Sequence, residues 1–119
     1  MTLVNKHPIS INEVRNVIAG LLSSGHPGLH VVANQLGVSS RTLQRRLADN
    51  NLTHSRLVHQ ARVTRACQRL AEQDVHISDI AREIGFATPS SFSRAFQSWT
   101  GTSPRAFRKG LKFQEPNTD

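Results

Sequence analysis

Long polar side chains on one face of a short predicted helix are the groups in this sequence best suited to chemistry. Within residues 40–50, Leu43 and Leu47 lie at helical spacing and mark the buried face of a helix. The opposite face carries Arg41, Gln44, Arg45 and Ala48. A guanidinium can donate two parallel hydrogen bonds to guanine, and a carboxamide can pair with adenine. This face predicts contacts to base edges; the alternative is an ordinary solvated helix surface.

A second predicted helix, residues 89–99, has the same plan with fewer long side chains. Phe92 and Phe96 mark its buried face. The side chains that point away from this stripe or lie at its edge are Ser90, Ser93, Arg94 and Gln97. We expect base contacts from the first three, but more phosphate contact and less sequence discrimination than from residues 40–50. Other candidate contacts, in part to the sugar-phosphate backbone, are Ser40, Thr42, Ala48, Thr88, Pro89 and Gln97.

A third set of arginines lies on a long predicted helix, residues 54–72, which lacks glycine and proline and would be roughly 28 Å long. Arg62, Arg65 and Arg69 fall within a narrow arc of this helix. They could neutralise phosphates, or they could form ion pairs with a cluster of acidic side chains. That cluster is Glu72, Asp74, Asp79 and Glu83. The two interpretations are balanced, with ion pairing favoured for Arg62, while Arg65 and Arg69 are kept as candidate phosphate contacts.

The first two helices belong to a unit that the chain uses twice. Six positions recur 48 residues later: Leu29, Val32, Ala33, Leu36, Gly37 and Val38 match Ile77, Ile80, Ala81, Ile84, Gly85 and Phe86. Two more recur with a shift of 49, so the second copy has one extra residue in its turn: Leu43 and Leu47 match Phe92 and Phe96. Each copy has a short helix, a glycine that can adopt positive φ, a hydroxyl residue suited to an N-cap, and a second helix. This is a helix-turn-helix used twice, and it places Arg45 and Arg94 at equivalent positions.

The remaining patterns complete an all-α fold class of seven helices, in which a long connecting helix joins two helix-turn-helix subdomains. Ser10 and Glu13 form a capping box that starts the first helix. Pro104 starts a last short helix, which we expect to end at Gly110. The predicted divisions are a disordered lead-in (1–9), an N-terminal subdomain (10–53), a linker helix (54–73), a C-terminal subdomain (74–110) and a flexible tail (111–119).

The composition favours a polyanionic partner and excludes several classes of protein. The 119 residues carry 15 Lys and Arg against 8 Asp and Glu, a formal net charge of +7, which favours nucleic acid. The single cysteine, Cys67, excludes an internal disulfide framework and a multi-cysteine zinc site. The sequence shows neither a secretory signal nor an apolar run of membrane-spanning length. We therefore expect a soluble cytoplasmic protein that associates with the nucleoid.

Three segments resemble the signature of the AraC/XylS family of bacterial transcription regulators. They are residues 77–86 (ISDIAREIGF), 91–96 (SFSRAF) and 99–104 (WTGTSP), followed by Arg108. Residues 33–47, with Arg62 and Ala66, match the weaker first half of that signature. The resemblance covers about residues 28–110, and its second half is highly specific.

This resemblance implies a regulator whose partners are double-stranded DNA and RNA polymerase, and which activates transcription. Each recognition helix would enter a major-groove segment on the same DNA face, about one duplex turn from the other, so that a monomeric unit reads an asymmetric site. Base-contact positions of similar proteins fall on Arg41, Gln44, Arg45, Pro89, Ser90, Ser93 and Arg94. Many members also have an effector-binding or dimerisation domain, for which this chain has no room. A fragment of a larger regulator is favoured over a complete small one.

Other classes of function explain less of the sequence. A general nucleic-acid coat or RNA binder would need charge but no ordered motifs, and the repeat argues against it. An enzyme would need a nucleophile, base and orienting group, and no such set is present. The six histidines are scattered, so we expect neither a metal site nor a cofactor. A protein-interaction module with an acidic partner also remains as an alternative.

Overall fold

The fold is all-α, as predicted, and has seven α-helices within the residues that the structure describes. The structure, a computed structural model, describes residues 9–114, with side chains to residue 111. The helices are α1 (Ile11–Leu21), α2 (Leu29–Gln35), α3 (Ser40–Asp49), α4 (His54–Leu70), α5 (Ile77–Glu83), α6 (Pro89–Thr100) and α7 (Pro104–Gln114). A short 3-10 turn, Leu22–Ser24, follows α1. Among these helices, none is both long and apolar enough to cross a lipid bilayer.

Two compact units divide the chain, the first ending at Arg62 and the second beginning at Val63. The division falls inside α4, in the segment predicted to be the linker. The first unit has an aliphatic core: Val14, Ile18, Leu22, Val32, Ala33, Leu43, Leu47, Leu57 and Val58. The second unit buries Ala66, Leu70, Ile80, Ala81, Ile84, Phe92 and Phe96. The predicted subdomain limits stay predictions, and the predicted lead-in and tail lie outside the described residues at 1–8 and 115–119.

Aromatic rings fill the second unit around Phe96. The Phe96 ring contacts the rings of Phe92, Trp99 and Phe107, with centroids 5.7, 6.1 and 5.4 Å away. Trp99 also contacts Phe86, at 6.0 Å. Trp99 therefore packs at the end of α6 and contributes to the core of this unit.

Side-chain oxygens cap the helices at the positions that the sequence indicates. Ser10 and Glu13 form the predicted capping box: the Glu13 amide donates to Ser10 Oγ at 3.1 Å, and the Ser10 amide donates to the Glu13 carboxylate at 3.0 Å. Ser39 accepts from the Thr42 amide at the start of α3, at 3.0 Å. These contacts satisfy amide groups that the helix leaves without a partner.

The turns of the two helix-turn-helix motifs match each other closely. Gly37 and Gly85 have φ of 75° and 93°, in the left-handed region that glycine adopts without strain. The residue after each glycine donates its amide to the carbonyl of the small alanine in the preceding helix, Ala33 or Ala81, at 3.0 and 2.9 Å. The connection has four residues in the first copy (36–39) and five in the second (84–88). The predicted extra residue therefore lies in the second turn.

The last helix differs from its prediction. α7 continues through Gly110 to Gln114, so the predicted end at Gly110, and a flexible tail over residues 111–114, are wrong. A glycine inside a helix costs only about 1 kcal/mol relative to alanine. Packing of the apolar face of α7 offsets this cost, since Phe107 contacts Phe96 and Leu111 is half-buried.

Ala66 provides a test of the packing of α4. Its side chain is fully buried in the second unit, whereas that of Thr64, also in this unit, is exposed. Ala66→Glu should lower the free energy of unfolding by about 3 kcal/mol or more, because it forces a carboxylate into an apolar core. Thermal and urea unfolding measure the change, with Thr64→Glu as a matched control that should unfold like the parent. Equal stability of the two variants would contradict the burial of Ala66.

Candidate nucleic-acid interface

Helix α3 exposes the polar face that the sequence predicts. Its buried side is held by Leu43 and Leu47, which are 0% and 1% exposed. The four opposite side chains are all exposed: Arg41, Gln44, Arg45 and Ala48. Within residues 9–114, the guanidinium groups of Arg41 and Arg45 make no ion pair or hydrogen bond to the protein. Both therefore keep their donors available for a ligand.

Helix α6 exposes a shorter set of polar groups. Phe92 and Phe96 are fully buried, and they orient Ser90 and Arg94 towards solvent. Ser93 is half-buried, in agreement with its predicted place at the edge of the apolar stripe. The carboxamide of Gln97 donates to the carbonyl of Gly101 at 3.1 Å, which ties this side chain to the end of its own helix. Arg94 is thus the long donor on this face that has no partner in the described part of the chain.

Several candidate contact residues at the starts of α3 and α6 form hydrogen bonds or caps within their own helix. Thr42 accepts a hydrogen bond from the Ser39 hydroxyl at 3.0 Å, and Ser40 is half-buried. Thr88 accepts from the Ser91 amide at 3.1 Å and caps α6. Pro89 occupies the first position of α6 with its ring exposed. Proline lacks an amide hydrogen, so at this position it can contribute only apolar contact.

Arg69 is committed to ion pairs inside the second unit. Its guanidinium donates to both carboxylate oxygens of Glu83, at 2.8 and 2.9 Å, and to Glu72 at 2.6 Å. These bonds raise the pKa of Arg69. Of the two interpretations of this arginine, the geometry favours the structural one. Arg65 is half-buried and makes no such pair among the described residues, so it remains a candidate phosphate contact.

Burial also distinguishes Arg62 and Cys67 from surface groups. Burial lowers the pKa of the Arg62 guanidinium, which agrees with a structural role. Burial raises the pKa of the Cys67 thiol, which makes the reactive thiolate scarcer. Among residues 9–114, no three histidine, cysteine or carboxylate side chains come together where they could hold a metal ion.

Arg108 has a role that the sequence did not reveal. Its guanidinium donates to the carbonyl of Leu70, the last residue of α4, at 2.8 Å and to that of Glu72, just after the helix, at 2.9 Å. A cation at a helix C-terminus satisfies carbonyls that lack helical partners. The resemblance included Arg108 in a signature but did not assign it a contact. The 38 residues that separate it from Leu70 hide the pairing from any local pattern.

His54 has a comparable role in the first unit. Its Nε2 lies 2.6 Å from the carbonyl oxygen of Pro27, so the start of α4 is fixed to the loop that precedes α2. Its ring meets that of His26 edge to face, with centroids 6.0 Å apart. Burial, and then the charges of Arg62 and His54, lower the pKa of His26. The scattered histidines thus include a pair that supports the first helix-turn-helix.

Two capped helix-turn-helix motifs, each with arginine on an exposed recognition face, define a DNA-binding domain of transcription regulators. Residues 32–110 match the family model described as a helix-turn-helix domain. The chain belongs to the AraC/XylS family of transcription regulators, as the sequence signature predicted.

Similar proteins include regulators from two bacteria and a solved DNA complex. The transcriptional regulator VqsM of Pseudomonas aeruginosa is 36% identical over 72% of this chain and 26% of its own length. The transcriptional activator AggR of Escherichia coli is 32% identical over 87% of this chain and 38% of its own length. The DNA-binding domain of AdpA, solved in complex with a target DNA, superposes with a TM-score of 0.63 at 26% identity, covering 88% of this chain and 97% of that domain. This chain therefore spans about a quarter to two fifths of the length of these two regulators.

A substitution of Arg69 separates its structural role from a phosphate contact. Arg69→Ala should lower the melting temperature, because it leaves Glu83 without its bidentate partner, and should leave the salt dependence of DNA binding unchanged. Calorimetry and binding titrations at several salt concentrations measure the two effects. Arg82→Ala is the control, since it removes an exposed pair with Asp79 and should melt like the parent. Unchanged melting together with a shallower salt slope would identify Arg69 as a phosphate contact.

Proposed function

We propose that α3 and α6 bind adjacent major-groove segments of one operator and that this chain is the DNA-binding part of a larger, effector-responsive regulator. The observation that carries this proposal is the duplicated recognition face: in both copies, a fully buried apolar pair turns arginine towards solvent, and this arginine has no ion pair within residues 9–114. A protein with a single recognition helix must dimerise to contact two half-sites, and its site is then symmetric. Two readers in one chain allow a monomeric unit to read an asymmetric site.

On α3 we assign base contacts to Arg41, Gln44 and Arg45. All three are exposed on the face opposite the buried leucines. Arginine pairs best with guanine and glutamine with adenine, so this helix has the donors for a specific sequence of base edges. Ala48 lies on the same face, and Ser40 and Thr42 lie at its border; we assign these three residues contacts to the sugar-phosphate backbone or to thymine methyl groups.

On α6 we assign base contacts to Ser90, Ser93 and Arg94. Serine hydroxyls pair with several bases, so they discriminate weakly. We therefore expect α6 to contribute less specificity than α3 and more contact with phosphate. Thr88 and Pro89 are secondary candidates at its start, and the bond between Gln97 and Gly101 makes Gln97 a weaker one.

The length of the relatives supports a missing partner domain. The matched part of the chain spans 26% of VqsM and 38% of AggR, so those regulators contain much that is not seen here. We propose that effector binding belongs to a further domain, which corresponds to the unmatched part of these regulators. AggR carries the name of a transcriptional activator, which supports activation as the output, and we propose that activation proceeds through RNA polymerase. Such a regulator would work in the cytoplasm, at the nucleoid, and not as an enzyme.

Selection of binding sites from random duplexes tests this function. The purified chain should enrich a motif with two half-elements about ten base pairs apart, one duplex turn, because each recognition helix reads one groove segment. The more stringent half-element should belong to α3, which Arg41→Ala and Arg94→Ala variants in parallel selections would identify. A chain that acts as a general coat would recover no motif, and this outcome would refute sequence-specific binding.

Arg45 is the best single test of base reading. Arg45→Ala should cost about 1–3 kcal/mol on the selected site and relax the preference at one base pair. Arg15→Ala, which removes the same charge from α1 of the same unit, should leave the preference unchanged. Titrations against all four bases at each position of the site measure both. Equal losses of affinity on every sequence would show that Arg45 contacts only phosphate.

A further inference from the structure

A cleft in the second unit lies beside the recognition face of α6. It encloses about 410 Å³ and is bordered by the first turns of α5, α6 and α7. Its lining residues are Ile77, Ser78, Pro89, Ser93, Ser103, Pro104 and Arg105. We call it the α6–α7 cleft. Ser93 belongs both to this cleft and to the proposed base-contact face, so a ligand in the cleft would adjoin a DNA base in the groove.

The polar groups of the α6–α7 cleft are donors and carry positive charge. Arg105 is exposed and makes no ion pair among residues 9–114. Ser103 accepts from the Ala106 amide at 3.0 Å, which leaves its hydroxyl hydrogen free to donate. The hydroxyl groups of Ser78 and Ser93 make no hydrogen bond within the described part of the chain, so they can also donate. No carboxylate lines the cleft. Three hydroxyl donors and a guanidinium suit an anion with several acceptor oxygens.

The apolar part of the lining limits what kind of anion fits. Pro89, Pro104 and Ile77 also line the cleft, and of the two prolines Pro89 is exposed whereas Pro104 is buried. A free inorganic anion would gain nothing from these rings. A phosphodiester carries a deoxyribose on either side, whose carbon atoms can pack against proline. The chemistry of the lining therefore fits a sugar-phosphate backbone.

A cleft also lies beside the recognition helix of the first unit, between the second half of α3 and the start of α4. It measures about 370 Å³, and Gln44, Thr53 and Ser55 contribute its polar lining together with His54. Gln44 corresponds to Ser93 in the repeat, and Thr53 and Ser103 each directly precede the helix that follows the recognition helix. Thr53 caps α4 by accepting from the Arg56 amide at 3.2 Å, as Ser103 caps α7. In both units a cleft thus borders the recognition helix and the start of the next helix, and in the second unit it also includes the start of the preceding helix.

We propose that the α6–α7 cleft binds one phosphodiester of the DNA strand that flanks the groove segment read by α6. Arg105 supplies the charge, and the hydroxyls of Ser78 and Ser103 donate to the phosphate oxygens. The exposed ring of Pro89 contacts the neighbouring sugar. This inference rests on the proposed function and adds Arg105, Ser78 and Ser103 to the interface. It gives α6, which is poor in long base-reading side chains, a separate anchor that fixes its register on the duplex.

Replacement of Arg105 tests the cleft on the selected site. Arg105→Ala should reduce the slope of log affinity against log salt by about 1, and it should weaken binding to selected and random duplexes by the same factor. Arg105→Lys should restore most of the slope, because the charge is kept. Lys109→Ala is the matched control: it removes the same charge one turn further along α7, outside the cleft, and should bind like the parent. Equal salt slopes for Arg105→Ala and Lys109→Ala would overturn the proposal.

Single methylphosphonate substitutions in the DNA identify the contacted phosphate. Neutralising one phosphate beside the α6 half-element should weaken the parent chain and leave Arg105→Ala unaffected, because the two changes remove the same contact. In Ser78→Ala, neutralising that phosphate should cost less affinity than it does in the parent chain, and neutralising any other phosphate should cost the same. If every phosphate position affects the parent and Arg105→Ala equally, the cleft does not bind the backbone. A parent chain that selects no site at all would refute the proposed function instead.

Discussion

The burial of two apolar side chains, four residues apart, sets the orientation of each recognition helix. Leu43 and Leu47 in α3, and Phe92 and Phe96 in α6, are at most 1% exposed. Burying a side chain of this size stabilises the fold by about 1.5–3 kcal/mol, so a rotation that exposed both would cost several kcal/mol. The polar face therefore points to solvent because the apolar face opposite to it must be buried in the core. Neither the polar residues nor any ligand is needed to fix it.

Local chemistry made much of this fold predictable. The capping box, the caps at Ser39 and Thr88, and the glycine turns depend on residues within five positions of each other. The extra residue of the second turn follows from the change of repeat offset from 48 to 49. The outward faces of α3 and α6 follow from helical spacing alone. These features share one property: a short stretch of sequence contains every group involved.

What the sequence did not decide depends on pairs of residues that are far apart. From the sequence, Arg69 could pair with either a DNA phosphate or a carboxylate. The position of Glu83 in the fold, fourteen residues away in sequence, favours the carboxylate. The bond from Arg108 to the end of α4 is hidden for the same reason. Glycine often stops a helix, so the sequence predicts an end of α7 at Gly110, whereas packing of Phe107 stabilises a longer helix. The α6–α7 cleft is not predictable from a local pattern either, because it requires the positions of three helix starts.

The outward side chains of the recognition helices contribute little to folding, and this has a consequence for how such proteins diverge. Arg41, Arg45, Ser90 and Arg94 are exposed, and substitutions at surface positions of this kind usually alter stability by no more than about 0.5 kcal/mol. A lineage can therefore exchange them one at a time without passing through a poorly folded ancestor. Because each copy has its own set, the proposed reading of one operator half by each helix would let one half drift while the other still binds the protein.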